Sequence, residues 1–312
     1  MLATENLGVI TGRGTDIATV QDLKRRIRSI RNTQKITKAF ELVASARLRR
    51  AQARIEAMRP YADRMMELMV GTARASTSLR GLTLLQRREV QRAAIVAITG
   101  DRGLAGAFNA QVLRHAFALE RQLRSEGVDV RWLVSGRKGR STLTFRRYEV
   151  DQAWIGFSDR PAYHDAQVIA HRITELYETG EVDRVVLVYN RFVSALTQKV
   201  VEQDVLPIPE QLLERDEEEA HESALLGDFI YEPEPEEILA RLLPVYVETE
   251  LYRALLESAA SEQGARMTAM RNASSNAGDL IESLTLDMNR ARQSEITQEI
   301  LEVVAGADAL TQ

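Results

Sequence analysis

Three glycines, Gly100, Gly103 and Gly106, come nearest to a chemical motif in this chain. They lie in AITGDRGLAGAF (97–108), between an apolar run and an amphipathic stretch. A strand, a glycine loop and a helix start can together cradle a phosphate. The dinucleotide fingerprint is G-x-G-x-x-G, but the spacing here is G-x-x-G-x-x-G, without the first tight pair. The phosphate loop G-x-x-x-x-G-K-[ST] has no match, because no Gly-Lys is followed by Ser or Thr. Asp101 also sets a carboxylate where a phosphate would sit. The loop therefore reads as a tight strand-to-helix turn, in which glycine permits positive φ and close backbone approach.

Other chemistry is sparser still. His164 and His171 stand seven apart on one helix, not the four that pairs metal ligands. Cysteine is absent, which removes disulfides, thiolate metal sites and cysteine nucleophiles. No Ser/His/Asp arrangement is readable. GRKGR (136–140) reads as a solvated turn, and the acidic run 217–219 as a solvated linker or a partner-contacting loop. The expectation is no catalytic residue, no cofactor and no metal.

The elements that would carry these residues follow from periodicity. Residues 21–80 read as a long helix, with Leu23, Ile27 and Ile30, then Ile36, Phe40 and Val43, then Ala44, Leu48, Ala51, Ile55 and Met58 stepping by 3 and 4. Pro60 is expected to kink or interrupt it. Residues 93–98, 128–134 and 184–190 read as strands, with helices at 108–125 and 163–179 between them. A long fourth strand follows, antiparallel to the third. This order predicts a central Rossmann-like α/β domain over 90–208 with a mostly parallel sheet. Residues 209–235 read as an acidic linker and 236–312 as a second long helix. A helix of some 65 residues is about 100 Å long, more than a domain of this size conceals. The two terminal helices are expected to pair as a long antiparallel coiled coil.

Composition agrees. Of 312 residues, 45% are hydrophobic but only 5% aromatic, which favours long helices over a thick core. Net charge is −4, unevenly spread: Gln21 to Pro60 holds twelve Lys/Arg against three acids, Glu202 to Glu237 fourteen acids and one Arg. The basic helix has cations all round and no interleaved aromatics, so an acidic protein surface fits better than nucleic acid. No stretch approaches the roughly 20 apolar residues of a membrane span. Residues 1–20 lack the marks of a secretory signal or transit peptide and read as an N-terminal extension.

Three blocks resemble one family. IRNTQKITKAFELVASARLRRAQ (30–52) looks like the N-terminal helix of the ATP synthase gamma subunit, and residues 261–310 are similar to its C-terminal helix. TGDRGLAGAFN (99–109) resembles a loop of its central domain, and YEPEPEEIL with LLPVYVETELY the lead into the last helix. The resemblance implies the central-stalk rotor of an F-type ATP synthase, without an active site of its own. Implied partners are the alternating alpha/beta catalytic ring, the epsilon subunit and the membrane c-subunit ring, with one copy per complex. It implies Lys35, Lys38, Phe40, Arg266, Gln293 and Thr297 as contacts with the catalytic ring, Arg266, Gln293 and Thr297 at its catch loops, and the turns from Ile296 near a tip bearing. Position 40 is Phe where the family usually has Met, and zero cysteines argue against the plastid form. The implied location is peripheral, on the cytoplasmic face of a bacterial inner membrane. The alternatives are a coiled-coil scaffold and a Rossmann-like nucleotide-binding protein.

Overall fold

A computed structural model of the chain describes residues 19–76, 78, 79, 81–209 and 232–310. Most of the N-terminal extension and of the acidic linker, including 217–219, lies outside the described residues. The element order is α1 (Val20–Ala75), β1 (Arg92–Ile98), α2 (Phe108–Ser125), β2 (Asp129–Ser135), α3 (Arg137–Phe145), β3 (Gln152–Trp154), α4 (Tyr163–Glu178), β4 (Arg184–Phe192), β5 (Gln198–Leu206) and α5 (Pro235–Leu310). The chain is thus a mixed α/β protein with two long terminal helices and a mostly parallel central sheet. Its described residues divide into two compact units, one between 39 and 271, the other formed by those up to 38 and from 272 on.

In the first unit the sheet order is β3-β2-β1-β4-β5, parallel except for β5, which runs antiparallel to β4. β1 is central and buried from Ala93 to Ile98, as a strand covered on both faces must be. Its side chains alternate. Ala93, Ile95 and Ala97 pack with Val112, Ala116 and Leu123 of α2, whereas Ala94, Val96 and Ile98 share a core with Ile169 and Ile173 of α4. That second core also takes in Met65 and Met69 of α1 and Leu239, Leu243, Val247 and Leu251 of α5. Beyond it, Ala44, Leu48 and Ala51 of α1 cluster with Ala260 and Met267 of α5, and Arg271 Nε donates to Glu41 Oε1 at 3.0 Å. Rising numbers on α1 meet falling numbers on α5, so the pair is antiparallel here.

In the second unit, Gln34 Nε2 donates to the Ser274 carbonyl at 3.2 Å, and a Cβ on Gly278 would lie 3.2 Å from the same amide. Val20, Leu23, Ile27 and Thr37 are buried on α1, and Ala277 on α5. Every α5 residue from Arg292 to Ala307 is exposed.

Four expectations change. α1 continues through Pro60 without interruption. GRKGR is not a turn: its first glycine precedes α3, which starts at Arg137. β3, three residues at the sheet edge, is too short to show a period. Finally, Ile36, Phe40 and Val43 are exposed, and the buried stripe of α1 in their place runs through Thr37, Glu41 and Ala44. Apolar residues lie on two sides of this stretch, so periodicity alone could not choose the inner one.

Candidate functional site

Open α/β sheets bind ligands outside the carboxyl ends of their strands, where strand order reverses. Here that place is the crevice at the ends of β1 and β4, bordered by the glycine loop. The chain fills it with its own side chains. Asn190, fully buried at the end of β4, donates from Nδ2 to the Phe108 carbonyl at 3.3 Å. Ser261 of α5 donates from Oγ to the Asn190 carbonyl at 3.0 Å. Glu262 is 1% exposed, and its carboxyl lies against Gly100, where any Cβ would come within 2.9 Å.

Asp101 occupies the loop's nest of N–H groups. Its Oδ1 accepts from Arg137 N, the first residue of α3, at 2.9 Å. Its Oδ2 accepts from Gly156 N at 2.8 Å and Ser158 N at 3.1 Å. Its own N–H donates to Ser158 Oγ at 2.8 Å. A helix N-terminus and adjacent main-chain donors form an anion site, and a carboxylate from the same chain is in it. The rest of the loop is held as firmly. Gly100 N donates to Asn109 Oδ1 at 2.8 Å, and Lys138 N to the Gly100 carbonyl at 3.1 Å. Gly136 must be glycine: its φ is +101°, and a Cβ would sit 2.1 Å from the Thr99 carbonyl oxygen.

A charge cluster, buried at Glu262 and Arg266, ties this loop to the helices. Arg266 is 9% exposed; its Nη2 donates to Glu262 Oε1 at 2.5 Å and to the Gly103 carbonyl at 3.2 Å. Asp159 gathers Arg47 of α1 at 2.8 Å, Gln263 of α5 at 2.9 Å and Arg102 of the loop at 3.3 Å. Burial pushes the Glu262 carboxyl up from its ordinary value, and the adjacent Arg266 pulls against that shift. Leu104, at the loop's apex, has φ +62° and is 64% exposed, a left-handed backbone that an ordinary side chain adopts at a cost of about 1 kcal/mol.

The six expected contact residues lie on the two long helices. Lys35 and Lys38 are exposed on α1, and Phe40 is 44% exposed. Gln293 and Thr297 are exposed one turn apart on α5, with Thr297 Oγ1 donating to the Gln293 carbonyl at 2.9 Å. Arg266 differs, since its guanidinium is taken up by Glu262 and Gly103 of its own chain. His164 and His171 bring no metal cluster with them among the described residues. Sequence reasoning missed Asn190, Ser261, Glu262 and Asp159. Ser261 and Gly264, two small polar-face residues in one helical turn, are the trace of close approach: a Cβ on Gly264 would meet the Ala195 carbonyl at 3.1 Å.

A family model described as ATP synthase matches residues 19–310. The ATP synthase gamma chain of Rubrobacter xylanophilus is 46% identical over 294 residues, covering 94% of this chain and 99% of the relative. The chain belongs to the ATP synthase gamma chain family. The gamma chain of Moorella thermoacetica agrees, at 45% identity over 94% of this chain and 100% of that one. Among solved structures, the central stalk and c-ring of the Tetrahymena thermophila mitochondrial ATP synthase contains a chain 26% identical to this one, with TM-score 0.56, covering 77% of this chain and 99% of its own. A chain of the Euglena gracilis mitochondrial ATP synthase shares the fold at 19% identity, with TM-score 0.65 over 93% of this chain and 94% of its own. In a gamma chain, then, Asn190, Ser261 and Glu262 line the crevice that related sheets use for ligands, and Asp101 fills the nest beside it.

Proposed function

We propose that this chain is the turning shaft of a rotary ATP synthase, coupling ion flow through a membrane c-subunit ring to conformational cycling of catalytic subunits, and that it has no active site of its own. The carrying observation is an inverted helix surface. Over residues 36–43 of α1, in the middle of an otherwise apolar buried stripe, polar groups are buried while apolar groups face out. In one unit Thr37 is buried and Ile36 is exposed; in the other Glu41 is buried and Phe40, Leu42 and Val43 are exposed. On α5, Ile296, Ile300 and Val303 are likewise exposed. Exposed apolar side chains at helical spacing suit a surrounding partner better than water.

In this reading an alternating alpha/beta ring surrounds the helices, and Lys35, Lys38, Phe40, Gln293 and Thr297 meet it. Charge on the basic helix guides contact more than it fixes it, which a turning surface requires. Arg266 is the sixth of these contacts, at the catch loops, and it also braces the glycine loop through Glu262 and the Gly103 carbonyl. The α/β domain binds the c-subunit ring and the epsilon subunit, one copy of the chain serving each complex. The chain sits peripherally on the cytoplasmic face of a bacterial membrane; no helix among the described residues is long and apolar enough to cross one.

Imaging of the complex purified on a tag carried by this chain tests the reading. Density for the chain on the axis of a hexameric ring supports it, and a peripheral position overturns it. Equilibrium dialysis of the full chain against ATP, ADP and NAD tests the filled crevice. Clear binding of any of them would favour the nucleotide-binding alternative.

A further inference from the structure

We infer that Asp101 is a tethered anion that locks α5 into the α/β domain, and that this lock makes the domain turn with the helix. The second half rests on the shaft reading above. Three main-chain N–H groups from two separate segments, 137 and 156–158, converge on one carboxylate. Such a nest is fully built only with an anion in it, because three donors aimed at one point lose their partners together. By holding those segments, Asp101 fixes both ends of the clamp on α5. On one side, Gly100 is pressed against Glu262, and the Gly103 carbonyl accepts from Arg266. On the other, Asp159, next to Ser158, gathers Gln263 and Arg47.

The kind of contact decides why this matters for turning. Burial of Leu243, Val247 and Leu251 against the sheet is strong but non-directional, and opposes rotation of a helix about its axis only through side-chain shape. Charge-assisted hydrogen bonds are directional and resist it. Ser261, Glu262, Gln263 and Arg266 occupy less than two turns of α5, and their partners on the domain all belong to segments that adjoin the nest or the end of β4.

The test is chemical rescue of Asp101→Ala in the full chain, with formate compared against an equal concentration of chloride. Formate can re-enter the vacated nest. Its expected effect is to raise the variant's melting temperature by several degrees while leaving the wild type unchanged. Should Asp101→Ala fold only when formate is present, that supports the lock equally. No difference between formate and chloride overturns the tethered anion. If Asp101→Ala folds in neither salt, Asp101→Asn decides: it fills the same volume without charge, and a melting temperature matching wild type overturns the proposal. In the reassembled membrane complex, ions pumped per ATP hydrolysed should fall with Asp101→Ala and recover in formate. Formate rescue of melting with an unchanged pumping ratio overturns the turning role alone. Failure of the wild-type chain to occupy the ring axis defeats the shaft reading instead, and leaves the melting result to stand by itself.

Discussion

The unit of residues 39–271 and the unit formed by the two chain ends bury their apolar residues to different extents. In the first, β1, β4 and their covering helices bury nearly every large apolar side chain, and Ile95, Leu133, Ile173 and Leu187 are fully enclosed. In the second, Val20, Leu23, Ile27 and Ala277 are buried along with Thr37, while Ile36, Leu280, Leu286, Ile296, Ile300 and Val303 are exposed. The difference separates stability from readiness to dock. A sheet covered on both faces supplies its own driving force. On the shaft reading, a helix pair that leaves this many apolar groups outside leaves their burial to a partner.

Substitutions can break or sharpen that contrast. The largest effect is expected from Gly136→Ala, which forces a Cβ into the Thr99 carbonyl at positive φ; a loss above about 4 kcal/mol, read by urea unfolding, is predicted. Leu187→Ala should cost about 3 kcal/mol in the same assay, because its site in the middle of β4 cannot collapse. A cost below about 1 kcal/mol there would weaken the claim that this unit is self-sufficient.

Glu257 gives a smaller, pH-dependent effect. Burial pushes its carboxyl up, against the pull of Arg253 and Arg191. The folded state therefore binds that proton more tightly than the unfolded chain does. The stability this brings is present below the unfolded carboxylate range and is lost as pH rises through the folded pKa. Glu257→Gln removes the dependence, so its stability relative to wild type should improve as pH rises above the ordinary carboxylate range in a melting series. A difference that stays flat over that rise would contradict the shift. The smallest change is expected for Ile300→Ala and Val303→Ala. Each should alter the isolated chain's stability by less than about 0.5 kcal/mol, yet weaken its retention by the catalytic ring in a pull-down. Full retention would mean that these exposed residues are not docking groups.

Much of the fold could be read directly from the residues. AAIVAI before the glycines is β1, and the 3-and-4 steps of Val112, Ala116, Leu119 and Leu123 give α2 its buried face. The helices around 108–125 and 163–179 were legible because their apolar faces lie on one side only. α3 was hidden because its nine residues include just two that are buried, Gly139 and Leu143. The occupant of the glycine loop's nest was half legible. The wrong spacing and Asp101 were in plain view, but the donors of that carboxylate come from residues 137, 156 and 158, more than thirty positions away.

By itself, then, the sequence determined where helices and strands run, that the sheet would be mostly parallel, and which family the blocks at 30–52 and 261–310 resemble. Those properties rest on periodicity and local pattern, which a short window contains. The tertiary structure alone decided which side of α1 faces inward around Thr37 and Glu41, and that Arg266 is held by its own chain. It also decided that Glu262 lines the crevice, and Asp101 fills the nest, that AITGDRGLAGAF seemed to offer a phosphate. Each of these depends on which distant groups arrive at the same point. No local pattern contains that, because a carboxylate, an arginine or an apolar side chain has the same identity whether its partner is water, its own chain or another subunit.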